Sequence, residues 1–429
     1  MSTDAALAKD WIESTRPAKP TEGQAFRFWL KLGFISFGGP AGQIAIMHDE
    51  LVERRSWISE RRFLHALNFC MALPGPGAQQ LASYIGYSMY GVRGAITAGG
   101  LFVLPSFALL CGLTAVYATY GEVATVEGVV RGLGAAVIAL VAAAVLRVGG
   151  RVIRTLPALA LAAVAFALIL VGVPFPAILA LAALAGYLTS VRGGRWLAPA
   201  GKHEDPEGEA GADRPRSFTR RLVTTLAVWL VPVAALLAVG GLVAQLAGFF
   251  TVAALVTFGG AYAVLPFVAN AAVNHYGWLT AQDMIAGLAL GESTPGPLIM
   301  VNTFVGFMAG YNIEGGLAWG LLGALIATLC TFVPSLVFII NGAPFIDRIR
   351  TTGAFASALS GMTVGVVGVI AALAVFVARH AAFPDGHPDW LVIGLAIVSF
   401  LAVWRFRVGV VPTVLACAIV GLFASVVPS

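Results

Sequence analysis

Two kinds of glycine–proline break in apolar helices, each present twice at one spacing, restrict what this chain can become more than any other feature. Phe37-Gly38-Gly39 recurs as Phe258-Gly259-Gly260, Trp57 as Trp278, and Pro74-Gly75-Pro76 as Pro295-Gly296-Pro297, all at an offset of 221 (258 − 37). Pro105-Ser106 recurs as Pro334-Ser335 at an offset of 229, which places a short insertion in the second half. Repetition at a fixed period is the mark of a duplicated structural unit. The segments carrying the breaks are nearly free of charge, and backbone that leaves the helix inside lipid must be sheltered by protein or line a watery cavity.

The solvent is lipid because the chain cannot cover itself for water. Of its 429 residues 59% are hydrophobic and 11% charged, where a soluble domain carries about 25% charge. A spanning helix needs about 20 mostly apolar residues, and Ala95–Tyr117, Leu222–Leu246, Leu317–Ile340 and Leu391–Val403 supply such runs or nearly so. The net charge of +5 reads as basic loops of a membrane protein, not as a nucleic-acid surface. Cys70, Cys111, Cys330 and Cys417 stand far apart in apolar segments, so neither a zinc site nor a disulfide framework is signalled. The polar start lacks the pattern of a cleaved signal peptide.

The predicted division is a cytoplasmic tail 1–26, a first transporter repeat 27–190, a cytoplasmic linker 191–220 rich in Gly, Pro and charge, an extra spanning helix 221–247, and a second repeat 248–429. An unpaired helix between two repeats turns the second upside down. Loop charges agree with that. The loop 48–62 holds Arg54, Arg55, Arg61 and Arg62, and its counterpart 269–283 has no Lys or Arg. The turn 119–130 has Glu122 and Glu127, and its counterpart has Arg348 and Arg350. Basic loops mark the cytoplasmic side, so the alternation is that of an inverted repeat. The predicted fold is an all-α polytopic membrane protein: two inverted-topology repeats with broken, re-entrant helical hairpins. It has about nine full spans and four hairpins, with ordinary kinked spans as the alternative.

Interrupted helices in matching places of two repeats point to a transport site. A half-helix that starts in the membrane offers unpaired N–H groups and a positive dipole end, suited to an anion. Pro at a first helical position and Gly where backbone turns sharply supply the local chemistry. The predicted substrate-binding residues are Phe37, Gly38, Gly39, Gly75, Gly77, Gln79, Gln80, Gly259, Gly260, Ser293, Thr294, Gly296 and Asn302, with Lys31 as a positive charge or a snorkelling side chain. Glu292, three residues before Pro295 and matched by Met71 in the first half, is the predicted proton-coupling residue. An intramembrane carboxylate is costly and a functional candidate by default. Ionised it repels a dianion and protonated it admits one; pairing inside the bundle is the structural alternative. No catalytic residue, metal ligand set or nucleotide-binding loop is predicted, so the energy must come from a gradient, a potential or another subunit.

Phe28-Trp-Leu-Lys-Leu-Gly-Phe-Ile-Ser-Phe-Gly-Gly-Pro40, Glu53-Arg-Arg-Ser-Trp57 and Leu73-Pro-Gly-Pro-Gly77, with Gly291-Glu-Ser-Thr-Pro-Gly-Pro297 in the second half, resemble the chromate ion transporter family in its two-domain form. The resemblance covers about residues 26 to 427. It implies chromate efflux from the cytoplasm across a bacterial inner membrane, chromate resistance, drive by the proton motive force, and no cofactor. Sulfate, a tetrahedral dianion of similar size, is the natural mimic. Sulfate uptake or exchange and an anion channel are the alternatives. Protons, the lipid bilayer and, as one open arrangement, a second copy in a homodimer complete the expected partners.

Overall fold

The computed structural model describes residues 20–37, 39–121, 123–191, 218–258, 260–348 and 353–426. Among them are sixteen α-helices and no strand. They are α1 (Glu22–Ile35), α2 (Gly39–His48), α3 (Glu60–Ala72), α4 (Gly77–Tyr120), α5 (Ala124–Val152), α6 (Leu156–Leu170), α7 (Phe175–Val191) and α8 (Phe218–Val239). There follow α9 (Gly241–Leu255), α10 (Ala261–Asn270), α11 (Ala281–Ser293), α12 (Val301–Gly310), α13 (Leu317–Gly342), α14 (Gly353–Ala382), α15 (Trp390–Arg405) and α16 (Val410–Val426).

Among the described residues five helices are long and apolar enough to cross a membrane: Gly77–Tyr120, Thr125–Val152, Phe218–Val239, Leu317–Phe345 and Ala354–Ala382. Five more are apolar but shorter, among them Leu156–Leu170 and Phe175–Val191. The first ends and the second begins at a turn where Gly172 takes φ +85° and Pro174 follows. The chain is an all-α polytopic membrane protein. The extra helix stops sooner than the sequence indicated: it ends at Val239, and Gly240 and Gly241 at φ +79° and +56° turn the chain into α9. Residues 241–247 therefore begin the next hairpin and do not continue the extra helix.

The offset of 221 recurs in local geometry. Ser59 caps α3 by accepting from Arg62 N, and Thr280 caps α11 by accepting from Asp283 N. A π-helical turn follows α2 at Asp49–Arg54 and another follows α10 at Ala271–His275. Trp57 N donates to Leu51 O and Trp278 N to Ala272 O, both at 2.8 Å. Each tryptophan then stands edge-on to a phenylalanine from the start of its own hairpin, Phe28 at 5.4 Å and Phe249 at 5.6 Å. Hairpin α1–α2 and hairpin α9–α10 are thus each clasped at the mouth by an aromatic pair.

The second hairpins are built alike. Inside α4, Tyr90 and Gly91 leave helical geometry, so residues 77–89 and 92–120 are separate helices. A Cβ on Gly86 would fall 2.3 Å from Gly94 O, and one on Gly306 would fall 2.4 Å from Gly323 O, so glycine lets each short helix lie flat on its long neighbour. The mouths meet different ends of the long helices. Tyr90 Oη donates to Pro20 O, and Tyr87 Oη accepts from Arg221 at the start of α8. At the far end of α4, Tyr117 Oη donates to Asp283 in the first turn of α11 at 2.8 Å, while Asn312 donates to Trp278 O at 3.0 Å.

The basic loop is internally neutralised. Arg54 pairs with Asp49 and Glu50, and Arg55 pairs with buried Glu50 while its guanidinium lies 5.3 Å over Phe28 and 5.0 Å over Trp57.

Helices α5 to α7 and α14 to α16 pack together behind the second half. Asp389 ties this block by capping α15 and taking two bonds from Arg131 of α5, at 2.5 and 2.8 Å. Burial raises the pKa of this loop carboxyl, but the Arg131 bonds and the Val392 and Leu391 amides outweigh it and hold the group below the ordinary carboxylate range. Its contribution is therefore complete above the unfolded value of about 4 and lost as pH falls through the depressed folded value. Asp389→Ala should lower the melting temperature of the purified protein at neutral pH. The lost cap alone costs about 1 kcal/mol. The deficit should narrow in acid, where the wild type loses the same bonds; scanning fluorimetry at the two pH values checks this.

Candidate functional site

Ser36 and Thr257 each precede a Phe-Gly-Gly break and turn their hydroxyls back onto their own helix. Ser36 Oγ donates to Leu32 O at 2.6 Å and Thr257 Oγ1 to Ala253 O at 2.5 Å. Their main-chain carbonyls each accept the N–H of a central glycine from the other half. Gly296 N donates to Ser36 O and Gly75 N to Thr257 O, both at 2.8 Å. Each Pro-Gly-Pro break is therefore joined to the Phe-Gly-Gly break of the opposite half, not of its own.

Only glycine fits at either crossing. Gly75 has φ +124°, and a Cβ there would lie 2.2 Å from Ser335 Oγ and 2.8 Å from Gln80 Nε2. Gly296 has φ +111°, and its Cβ would lie 2.6 Å from Ser106 Cβ and Oγ. The serines, equivalent at offset 229, are also exchanged: each packs on the glycine of the other half.

Polar atoms without partners collect here. At Gly296 they are Ser106 Oγ and Gln43 Oε1; at Gly75 they are Ser335 Oγ and Gln80 Oε1. Gln79 Oε1 and Asn302 Oδ1 add two more nearby. Their other ends are fixed. Gln43 Nε2 donates to Gly296 O at 2.5 Å, Gln80 Nε2 to Pro74 O at 2.7 Å, Gln79 Nε2 to Ser83 Oγ at 3.2 Å and Asn302 Nδ2 to Thr331 Oγ1 at 3.1 Å. Buried polar groups in folded proteins nearly always find partners, so a concentration of unmet ones marks a place built for a polar occupant. The helices starting at Gly77 and Ala261, and the 3-10 turn Leu298–Met300 that leads into α12, carry no side-chain cap, which leaves first-turn amides without side-chain partners at the breaks.

The sequence-predicted residues distribute as follows. Gly75, Gln79, Gln80, Thr294, Gly296 and Asn302 are buried, and Phe37, Gly39, Gly77, Gly260 and Ser293 are half-buried at the breaks. Gly38 and Gly259 lie outside the described residues. The Gly75 and Gly296 amides are not free donors, because Thr257 and Ser36 take them; the available donors are helix-start amides and the serine hydroxyls. Pro76 and Pro297 occupy N-cap positions, one residue before the predicted first helical position. Ser293 and Thr294 donate to Leu290 O and Gly291 O and close α11. Lys31 is exposed, on the side of α1 opposite buried Phe28, Trp29 and Leu32, and is not part of the buried cluster.

Glu292 is 7% exposed and accepts from Tyr262 Oη at 2.5 Å, with Arg147 of α5 close enough to act on both electrostatically. Met71, its counterpart, is 46% exposed. The block of α5, α14 and α16 packs on α11, which is why the equivalent position is sealed in one half and open in the other. Sequence reasoning missed Ser36, Gln43, Thr257 and Tyr262 as site residues. It noticed Ser106 and Ser335 only as a repeat match, although their recurrence was the available signal.

A cavity of about 450 Å³ lies elsewhere, between Glu127, Arg131, Gln282, His380 and Asp389. Its carboxylates suit it poorly to a dianion, and the crossings themselves are closely packed.

The profile of a family described as chromate transporter matches residues 23–187 and 244–422. The chain is 32% identical over 432 residues to a chromate transport protein of Pseudomonas aeruginosa, covering 95% of this chain and 97% of the relative. It is 29% identical over 381 residues to a probable chromate transport protein of Synechococcus elongatus, covering 88% and 89%. A chromate transport protein of Cupriavidus metallidurans is 28% identical over 405 residues, covering 94% and 92%. No solved structure matches the chain.

Proposed function

Because this chain belongs to the chromate transporter family, whose members are transporters and not enzymes, we propose that it carries chromate out of the cytoplasm as a secondary transporter coupled to protons. The observation that carries the reading is the exchange of Pro-Gly-Pro and Phe-Gly-Gly breaks between the halves, Gly75 to Thr257 and Gly296 to Ser36, with the buried Gln43 Oε1, Gln80 Oε1, Ser106 Oγ and Ser335 Oγ unpartnered at the crossings.

The two repeats are inverted in the membrane, with residue 20 and the start of α8 on the cytoplasmic side and Asp283 on the other. The attachment of Tyr87 and Tyr90 to one end, and of Tyr117 to the start of α11 at the other, supports this. Chromate binds at the crossings. A dianion accepts hydrogen bonds only, and Ser106, Ser335 and the first-turn amides after Pro76 and Pro297 donate them. Glutamine amides rotate to present N–H₂. Neutral donors and helix dipoles hold an oxyanion without the charge that would trap it. The crossing is also where the halves bear on one another, so a small relative rocking exposes it to alternate sides. Glu292, buried beside the Gly296 crossing, carries the coupling proton: protonated it tolerates the dianion, ionised it expels it.

The test is survival on chromate of a sensitive strain expressing the chain, with cellular chromium measured alongside. Protection with lowered chromium is the expected result, and it should vanish in the Ser106→Ala/Ser335→Ala double variant at equal protein level. Raised chromium content would mean uptake and overturn the direction.

A further inference from the structure

Helix α8 lies wholly outside both family-matched stretches, 23–187 and 244–422. It is also thinly packed, with Trp229 its one buried residue. Against that background Arg221, in its first turn, is turned inward. NH1 donates to Tyr87 Oη at 2.9 Å and the guanidinium lies 5.8 Å over the Phe218 ring. Its Nε and NH2 atoms are buried with no partner. Among the described residues no carboxylate forms an ion pair with it. Arginine stays charged at any physiological pH, and a buried charge with unmet donors is strongly disfavoured unless an anion compensates it.

The neighbours bound the site. Thr225, one helical turn on, accepts from Asn341 Nδ2 at 2.8 Å; that amide also donates to Val337 O at 2.8 Å, so Asn341 marks the edge of the site and offers an anion no donor. Tyr87 and Asn341 belong to the two helices that carry the Gly75 crossing. From Gln80 to Tyr87 and from Ser335 to Asn341 is about 10 Å along each axis. The guanidinium therefore stands two turns outside the crossing, at the mouth of its hairpin. The other half has no such group: Tyr87 is matched by Met308 at offset 221, Asn341 by Gly112 at offset 229, and α8 has no counterpart.

We propose that Arg221, with Tyr87, forms a second oxyanion-binding station at the mouth of the Gly75 crossing, which the Gly296 crossing lacks. It rests on the transport reading of the crossing and gives it a polarity: the dianion loads first at one mouth. Its ligand is a tetrahedral oxyanion, either the transported ion or the phosphate of a lipid headgroup, since both present the same oxygens to a guanidinium.

The experiment is initial-rate chromate transport by the full chain in vesicles of phosphatidylcholine alone and of phosphatidylcholine with phosphatidylglycerol, comparing wild type, Arg221→Gln, Arg221→Lys and Tyr87→Phe. Loss of one charge-assisted contact predicts a KM raised about tenfold in Arg221→Gln, a change larger than that in the maximal rate. Arg221→Lys should fall between, because it keeps charge without the fork. A KM effect in phosphatidylcholine alone assigns the station to the transported ion; an effect confined to the phosphatidylglycerol vesicles assigns it to the headgroup. An unchanged KM in both, or a fall in maximal rate alone, overturns the station while leaving the crossing intact. If wild-type vesicles carry no chromate, the transport reading has failed instead. Stabilisation of purified protein by sulfate then decides the station: greater for wild type than for Arg221→Gln upholds it, and equal stabilisation overturns it.

Discussion

Alanine at Gly75 or at Gly296 is expected to cut chromate transport by about tenfold or more, each for two separate reasons. The first is backbone strain. At φ +124° and +111° an L side chain sits in territory that glycine alone occupies freely, at a cost of about 1–3 kcal/mol. The second is volume. The new methyl would lie 2.2 Å from Ser335 Oγ at one crossing and 2.6 Å from Ser106 Cβ and Oγ at the other. Neither serine belongs to a loop that can retreat: Ser106 is inside α4 and Ser335 inside α13. The backbone must give instead, and the bonds to Thr257 O or Ser36 O stretch. Removing the obstructing hydroxyl as well, in Gly75→Ala/Ser335→Ala, takes away the shortest contact but leaves the strain and the 2.8 Å approach to Gln80 Nε2 and costs a donor, so the rate should stay low. Gly100→Ala is the control, since a Cβ there meets nothing within 4 Å and its φ is ordinary; it should transport normally. Initial rates at matched protein density check all three.

Glu292→Gln is expected to flatten the dependence of transport on pH while leaving the protein folded and able to bind the dianion. Gln keeps the shape of Glu and can still meet Tyr262 Oη, now 2.5 Å from the carboxylate. What it loses is the ability to be either charged or neutral. The energy at stake is large: two unit charges at 4 Å repel by about 4 kcal/mol at an effective dielectric of 20, and a dianion doubles the charge on one side. A group that switches between those states four residues from Gly296 can gate the site, and an amide cannot. Proteoliposome flux across a range of internal pH reads this directly; a variant that retains the wild-type profile would remove Glu292 from the coupling. Tyr262→Phe should shift the profile without flattening it, because the carboxyl still titrates but lacks its donor.

How far the sequence disclosed this arrangement depends on whether a feature is local. The breaks, their pairing at one offset and the recurrence of Trp57 as Trp278 could be read along the chain, whereas the clasp each tryptophan makes with Phe28 or Phe249 could not. Nor could the exchange. Nothing in Pro74-Gly75-Pro76 says that its amide will find Thr257, 182 residues later (257 − 75), and not Ser36 of its own half. That choice is made by packing of whole hairpins. It also corrects the expectation of free glycine amides at Gly75 and Gly296, and leaves Ser106 Oγ and Ser335 Oγ as the unpartnered hydroxyls at the crossings. For Lys31 the sequence left two readings, and its exposure agrees with the snorkelling one. Ala25, Phe28, Trp29 and Leu32 define the buried arc of α1, and Lys31 falls outside it. The end of α8 was overrun because Leu242 to Ala247 continue the apolar run past Gly240-Gly241, and hydropathy does not register a reversal at two glycines. The exposure of Met71 against the burial of Glu292 follows from α5, α14 and α16 covering one half alone, which no repeat alignment contains.

The central claim is that an oxyanion is held where the breaks of the two halves cross. A structure of the protein with chromate bound, with chromium located by its anomalous scattering, tests it most directly. The account expects a chromium peak at one or both crossings, its oxygens within about 3 Å of Ser106 Oγ or Ser335 Oγ. A peak found only away from both crossings, with Gly75–Thr257 and Gly296–Ser36 undisturbed, would contradict it.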